Sequence, residues 1–140
     1  MLRMSLRTPR AGAPPETLLV VEDEPDMLEI ESDTLSELGY QVLSAQSGPD
    51  AIAVAARHPT PIDLLVTDVV MPGMNGWQLA TRLRSTQPRM RELFVSGFAV
   101  SVISSHGVPP DVRLLRKPFS HSGLAQAVRD ALDQGGPARS

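Results

Sequence analysis

A chain of 140 residues is the size of one domain, and its 41% hydrophobic and 21% charged residues are ordinary shares for a soluble globular protein, with aromatics so few, at 4%, that aliphatic side chains must build the core. The absence of cysteine excludes disulfide and thiolate chemistry and fits the cytoplasm, and no apolar run approaches the roughly 18 residues of a membrane span. A net charge of -3 argues against DNA as the main ligand.

Residues 1–17 carry Arg3, Arg7 and Arg10 between Pro9, Pro14 and Pro15, and are expected to form a disordered basic tail. The aliphatic run 18–21 predicts a first strand, followed at once by Glu22, Asp23 and Glu24. Pro25 suits the opening turn of a helix that carries Met27, Ile30, Leu35 and Leu38 and stops at Gly39. A second strand is expected over 41–45, then a helix opened by Pro49 that runs through Ala51, Ile52 and Ala55 and ends before Pro59. The third strand, 63–67, leads to Asp68 and a turn at Met71, Pro72 and Gly73. Trp77, Leu79, Ala80 and Leu83 mark a helix that ends before Pro88, and 93–96 is the fourth strand. Residues 97–107 are rich in serine and β-branched side chains, so a fourth helix there is expected to be short or mobile. The fifth strand, 112–115, precedes Lys117, the single lysine beside twelve arginines. A last helix begins near Ser120 and runs through Leu124, Ala127, Val128, Ala131 and Leu132 before Gly135, Gly136 and Pro137. The folded unit is therefore expected over 18–132, with a short tail over 133–140 and no second folded domain.

Five strands alternating with helices imply right-handed crossovers, a parallel sheet covered on both faces, and hence a three-layer αβα sandwich. Ligands of such sheets bind beyond the carboxyl ends of the strands, where Asp23, Asp68, Ser96 and Lys117 would converge. Carboxylates held together repel one another unless one is protonated or a cation intervenes, and an oxygen-only set points to Mg2+. Asp23 and Asp68 would supply its ligands with a backbone carbonyl, and Glu22 would act through water. Asp68 could then serve as an oxygen nucleophile toward phosphorus, with Lys117 and the Ser96 hydroxyl holding the phosphoryl oxygens. Each residue also has an ordinary structural role: acids cap helices, aspartates start turns, a lysine solvates a surface and a serine ends a strand. Their joint placement at one end of successive strands favours a site.

These residues resemble the receiver domain of bacterial response regulators, the family of phosphoacceptor domains that includes the chemotaxis regulator. The resemblance covers about 18–132. It rests on Val20, Val21, Glu22, Asp23, Glu24 and Pro25, on the stretch 63–76 that contains Asp68, Met71, Pro72, Gly73, Asn75 and Gly76, on Val95, Ser96 and Gly97, and on Lys117, Pro118 and Phe119. It implies a sheet of order 2-1-3-4-5, the flavodoxin-like arrangement. It also implies that Asp68 takes a phosphoryl group from a histidine kinase or a phosphotransfer protein, that Glu22, Asp23, Asp68 and the Val70 carbonyl organise Mg2+, and that Ser96 and Lys117 read the phosphoryl group. A cis bond between Lys117 and Pro118 is implied too, as is a partner-binding surface formed by the fourth helix, fifth strand and fifth helix. Such a protein is not a conventional enzyme, since it assists only its own phosphorylation and dephosphorylation, and it is expected to be a monomer or weak dimer.

Two positions depart from the family. Ser96 stands where threonine is common, and Leu114 stands where many relatives carry an aromatic ring, so signalling is expected to use the loop after Ser96 and the weak fourth helix instead. Val70 and Phe98, two residues beyond Asp68 and Ser96, cannot hydrogen-bond an attacking water, which implies slow self-dephosphorylation. Alternative roles are a phosphate shuttle or sink, or a receiver detached from a hybrid histidine kinase. A Mg2+-dependent aspartyl-phosphate phosphatase is more remote, because such enzymes usually place a second aspartate where this chain has Val70. An unphosphorylated adaptor would have no use for the intact set. His58, His106 and His121 form no metal motif, and Trp77 is expected to be a partly buried helix residue.

Overall fold

The computed structural model describes residues 14–133; the remainder of the expected basic tail, 1–13, and of the C-terminal tail, 134–140, lies outside the described residues. Five strands and five helices alternate in the order β1 (Thr17–Val21), α1 (Pro25–Glu37), β2 (Gln41–Ala45), α2 (Gly48–Arg57), β3 (Leu64–Asp68), α3 (Gly76–Arg84), β4 (Arg91–Ser96), α4 (Val100–Ser105), β5 (Leu114–Arg116) and α5 (His121–Asp133). All pairings are parallel and the sheet runs β2-β1-β3-β4-β5, so the expected αβα sandwich and strand order are both observed. Among the described residues no helix is long and apolar enough to cross a membrane.

The period of two along each strand sends alternate side chains to opposite faces, and each face needs its own cover. Leu18, Val20, Leu64, Val66, Leu93 and Val95 pack with Leu28 and Leu35 of α1 and with Leu124, Val128, Ala131 and Leu132 of α5. Leu19, Val21, Leu65 and Phe94 face Ala51 and Ala55 of α2, Leu79, Ala80 and Leu83 of α3, and Ile103 of α4. Central strands β1 and β3 are buried throughout, which is why they read as unbroken aliphatic runs.

Local signals set most helix ends. Ser47 accepts the Asp50 amide at 3.2 Å to cap α2, and Asn75 and Gln78 form a reciprocal capping box at the start of α3. Gly39, at φ 107, ends α1 in a conformation that other residues rarely adopt. α4 is a helix, but one of six residues without a side-chain cap. On α1 the expected Leu35 is buried and Leu38 packs against the core, but in the first turns Leu28 and Glu31 point inward in place of Met27 and Ile30, and Ile30 is 49% exposed.

At the end of the sheet opposite the strand carboxyl termini, Arg129 of α5 is only 1% exposed. Its guanidinium donates to Glu16 at 2.9 Å, to Asp133 at 2.8 Å and to the Tyr40 hydroxyl at 3.1 Å. This joins the segment before β1, the start of β2 and the end of α5.

Candidate functional site

The cleft at the carboxyl end of the sheet has a volume of about 420 Å³ and is lined by Glu22, Asp23, Asp68, Val70, Ser96 and Lys117 among others. It thus brings together all six residues singled out in the sequence. Asp68 is the last residue of β3 rather than the first beyond it, so its backbone stays in the ladder opposite Val95. Its neighbours hold it there. The Thr67 hydroxyl donates to the Asp68 carbonyl at 3.0 Å, and Gly76 packs against that same carbonyl so closely that a Cβ would overlap it. Gly76→Ala is therefore expected to cost about 2 kcal/mol of stability by overpacking. Urea denaturation checks this, and an unchanged midpoint would show that α3 can shift away from the acceptor strand.

Lys117 extends the pairing of β5 by donating its amide to the Ser96 carbonyl at 3.0 Å, and its bond to Pro118 is cis. From there Nζ reaches Glu22 Oε1 at 2.9 Å and Asp68 Oδ1 at 3.0 Å. Burial alone would lower the lysine's pKa, but hydrogen bonds and charges from the two carboxylates outweigh burial and hold it raised. Asp68 behaves oppositely. Burial, reinforced by the hydrogen bond and charge of Glu22, pushes its carboxyl up to about 8 against the pull of Lys117. Burial also acts on Glu22, yet hydrogen bonds from Asp68, Lys117 and the Glu24 amide bring it below its ordinary value. Two carboxylates this close oppose each other's ionisation, which drives the pair apart, Asp68 upward and Glu22 downward.

Ligand oxygens of Glu22, Asp23 and Asp68 all lie within 4.8 Å of one another. A wholly oxygen set with a surplus of negative charge fits a hard divalent ion such as Mg2+. The hydroxyl of Ser96 accepts the Phe98 amide at 3.0 Å, which leaves its own proton available to donate into the cleft. Gly97 stands beside the Lys117 stem, where a Cβ would come within 3.4 Å.

One buried neighbour of the site is missed by the sequence reading. Glu31, on the inward face of α1, is 3% exposed, and its Oε2 has no hydrogen-bond partner among the described residues. It lines a groove shared with Lys117 and Phe119. Phasing the helix from Leu28 and Leu35 rather than from Ile30 would have found it.

The family model for the response regulator receiver domain matches residues 18–129. The chain is 33% identical to the transcriptional regulatory protein GlrR of Escherichia coli, over 89% of this chain but 28% of that protein. It is 34% identical to the response regulator receiver protein CpdR of Brucella abortus, over 82% of this chain and 95% of the relative. A crystal structure of a response regulator receiver protein from Sinorhizobium medicae superposes with a TM-score of 0.73 at 34% identity, covering 90% of this chain and 98% of that one.

Proposed function

From the premise that this chain belongs to the response regulator receiver domain family, a family of two-component signalling, we propose that Asp68 is its phosphoacceptor and that phosphorylation switches a protein partner. The observation that carries the reading is the seat of Asp68, at the end of β3 and 3.0 Å from the ammonium of Lys117. The donor is a histidine kinase or a histidine phosphotransfer protein. A carboxylate oxygen of Asp68 attacks phosphorus in line; the P–O bond forms as the P–N bond to the donor imidazole breaks, and that nitrogen takes up a proton. Lys117 and the Ser96 hydroxyl bind the transferred oxygens, each as a hydrogen-bond donor. Glu22, Asp23 and Asp68 would hold Mg2+ with the Val70 carbonyl, and the ion would neutralise charge on the phosphoryl oxygens. The surface of α4, β5 and α5 is the face on which the partner reads the state.

Intact mass after incubation with Mg2+ and a small acyl phosphate tests the reading. One phosphoryl adduct is expected in the wild type and none in Asp68→Asn. An unmodified wild type, both with this donor and with a phosphorylated histidine phosphotransfer domain, would overturn it.

The walls of the cleft also set the lifetime. Val70 and Phe98 line it and offer no side-chain hydrogen bond to a hydrolytic water. Val70→Asn or Phe98→Asn is expected to speed loss of the adduct about tenfold, the worth of one hydrogen bond of about 1.4 kcal/mol. Decay at the wild-type rate in both variants would remove the argument.

A further inference from the structure

We propose that Trp77 transmits the state of Asp68 to the C-terminal end of α4; this rests on the phosphoacceptor reading above. Trp77 is the second residue of α3. The first, Gly76, donates its amide to the Val69 carbonyl at 2.8 Å and lies directly against the Asp68 carbonyl. The start of α3 is thereby clamped to the backbone of the acceptor strand, and displacement of one displaces the other.

From that anchor the indole reaches two elements. Its ring stands 5.8 Å from that of Phe94, which lies on β4 two residues before Ser96 and pairs in register with Leu114 of β5. Its Cδ1 faces Gly107, just past α4, where a Cβ would sit 3.7 Å away. On the other side of Gly76, Asn75 donates Nδ2 to the His106 carbonyl at 3.3 Å. Of the residues flanking the clamp, Asn75 is hydrogen-bonded to the exit of α4 and Trp77 stands beside it. The indole is itself fixed: the Arg84 guanidinium lies 4.7 Å from its centroid and is held by Glu92 at 2.7 Å.

α4 is the element able to respond. It has six residues, no side-chain cap, and serines and β-branched residues in place of strong helix formers; Ile103 alone is buried. A helix of such low intrinsic stability depends on contacts at its ends. When the loop between β3 and α3 closes on a phosphorylated Asp68, Asn75 and Trp77 move as one unit and tighten on His106 and Gly107.

The test is hydrogen exchange of the full chain, with and without Mg2+ and excess small acyl phosphate, with intact mass reporting the adduct. In the wild type, exchange over 98–108 is expected to slow about threefold as the adduct forms. Trp77→Leu should take up the phosphoryl group to the same extent and lose most of that slowing. Asn75→Asp keeps the oxygen that caps α3 but loses the donor to His106, so α4 should exchange faster even without phosphate. Full slowing in Trp77→Leu, or resting exchange in Asn75→Asp equal to wild type, overturns the proposal. So does an adduct in the wild type without any slowing. A wild type that takes up no phosphoryl group, either from this donor or from a phosphorylated histidine phosphotransfer domain, removes the acceptor reading, and this one with it.

Discussion

Arg129→Ala is expected to lower stability by about 3 kcal/mol, within the cost of breaking a buried ion pair from one side. The arginine is almost fully enclosed, and its donors are divided among Glu16, Asp133 and Tyr40. Truncation would leave a void beneath Tyr40 and two carboxylates facing each other across it. Side chains of Glu16 and Asp133 are 27% and 31% exposed, so water can reach both, and this keeps the cost at the lower end for such pairs. Arg129→Lys should recover little, because one ammonium cannot make two forked contacts at once. Urea unfolding followed through Trp77 measures the change; a midpoint unaltered in Arg129→Ala would mean that the cluster contributes nothing net to the fold. The effect should spare chemistry, since the cluster lies at the end of the sheet away from Asp68.

That cluster also shows where sequence reasoning stops. The strands were legible because both faces of a parallel sheet are covered, so burial writes itself as uninterrupted aliphatic runs at 18–21 and 64–66. Helix ends were legible where one residue type does the work, as with Pro25 and Gly39. Arg129 looked like any solvated arginine, because its partners Glu16 and Tyr40 are 113 and 89 residues away along the chain. Nothing in local periodicity reports such a pairing. β5 illustrates a smaller limit: expected over 112–115, it occupies Leu114–Arg116, since its register follows hydrogen bonding to β4 rather than its own hydrophobicity.

The site was more legible than the fold around it. Glu22, Asp23, Asp68, Ser96 and Lys117 each sit at or just beyond a strand end, and parallel topology forces those ends together regardless of loop detail. What stayed hidden is how the site is tied to its surroundings. Trp77 was recognisable as a half-buried helix residue, yet its position between Phe94 and Gly107 depends on where α4 exits. The same is true of Glu31, whose character comes entirely from its neighbours.

Glu31→Leu is expected to stabilise the protein by about 3 kcal/mol at pH 8 and by far less at pH 4.5. Burial, aided by the charge of Glu22 and opposed by that of Lys117, raises the Glu31 carboxyl from 4.5 to about 7. An acid raised on folding keeps its proton while the unfolded chain has already released its own. Stability is therefore undiminished below 4.5, declines as pH climbs toward about 7, and levels off above that. The gap between those two values is worth about 3 kcal/mol. Leucine would meet Leu28 and Leu35 on the same face of α1 and remove both the titration and the unbonded oxygen. Asp68 also rises on folding, but it is present in both proteins, so the difference between their stability curves isolates Glu31. Glu31→Gln separates charge from polarity: it should flatten the pH dependence while keeping an amide where leucine would gain apolar contact. Urea unfolding of the three proteins from pH 4.5 to 8, without divalent metal, decides the matter. Parallel curves would mean that the carboxyl stays charged on folding, with its penalty offset by the ammonium of Lys117 across the groove they share.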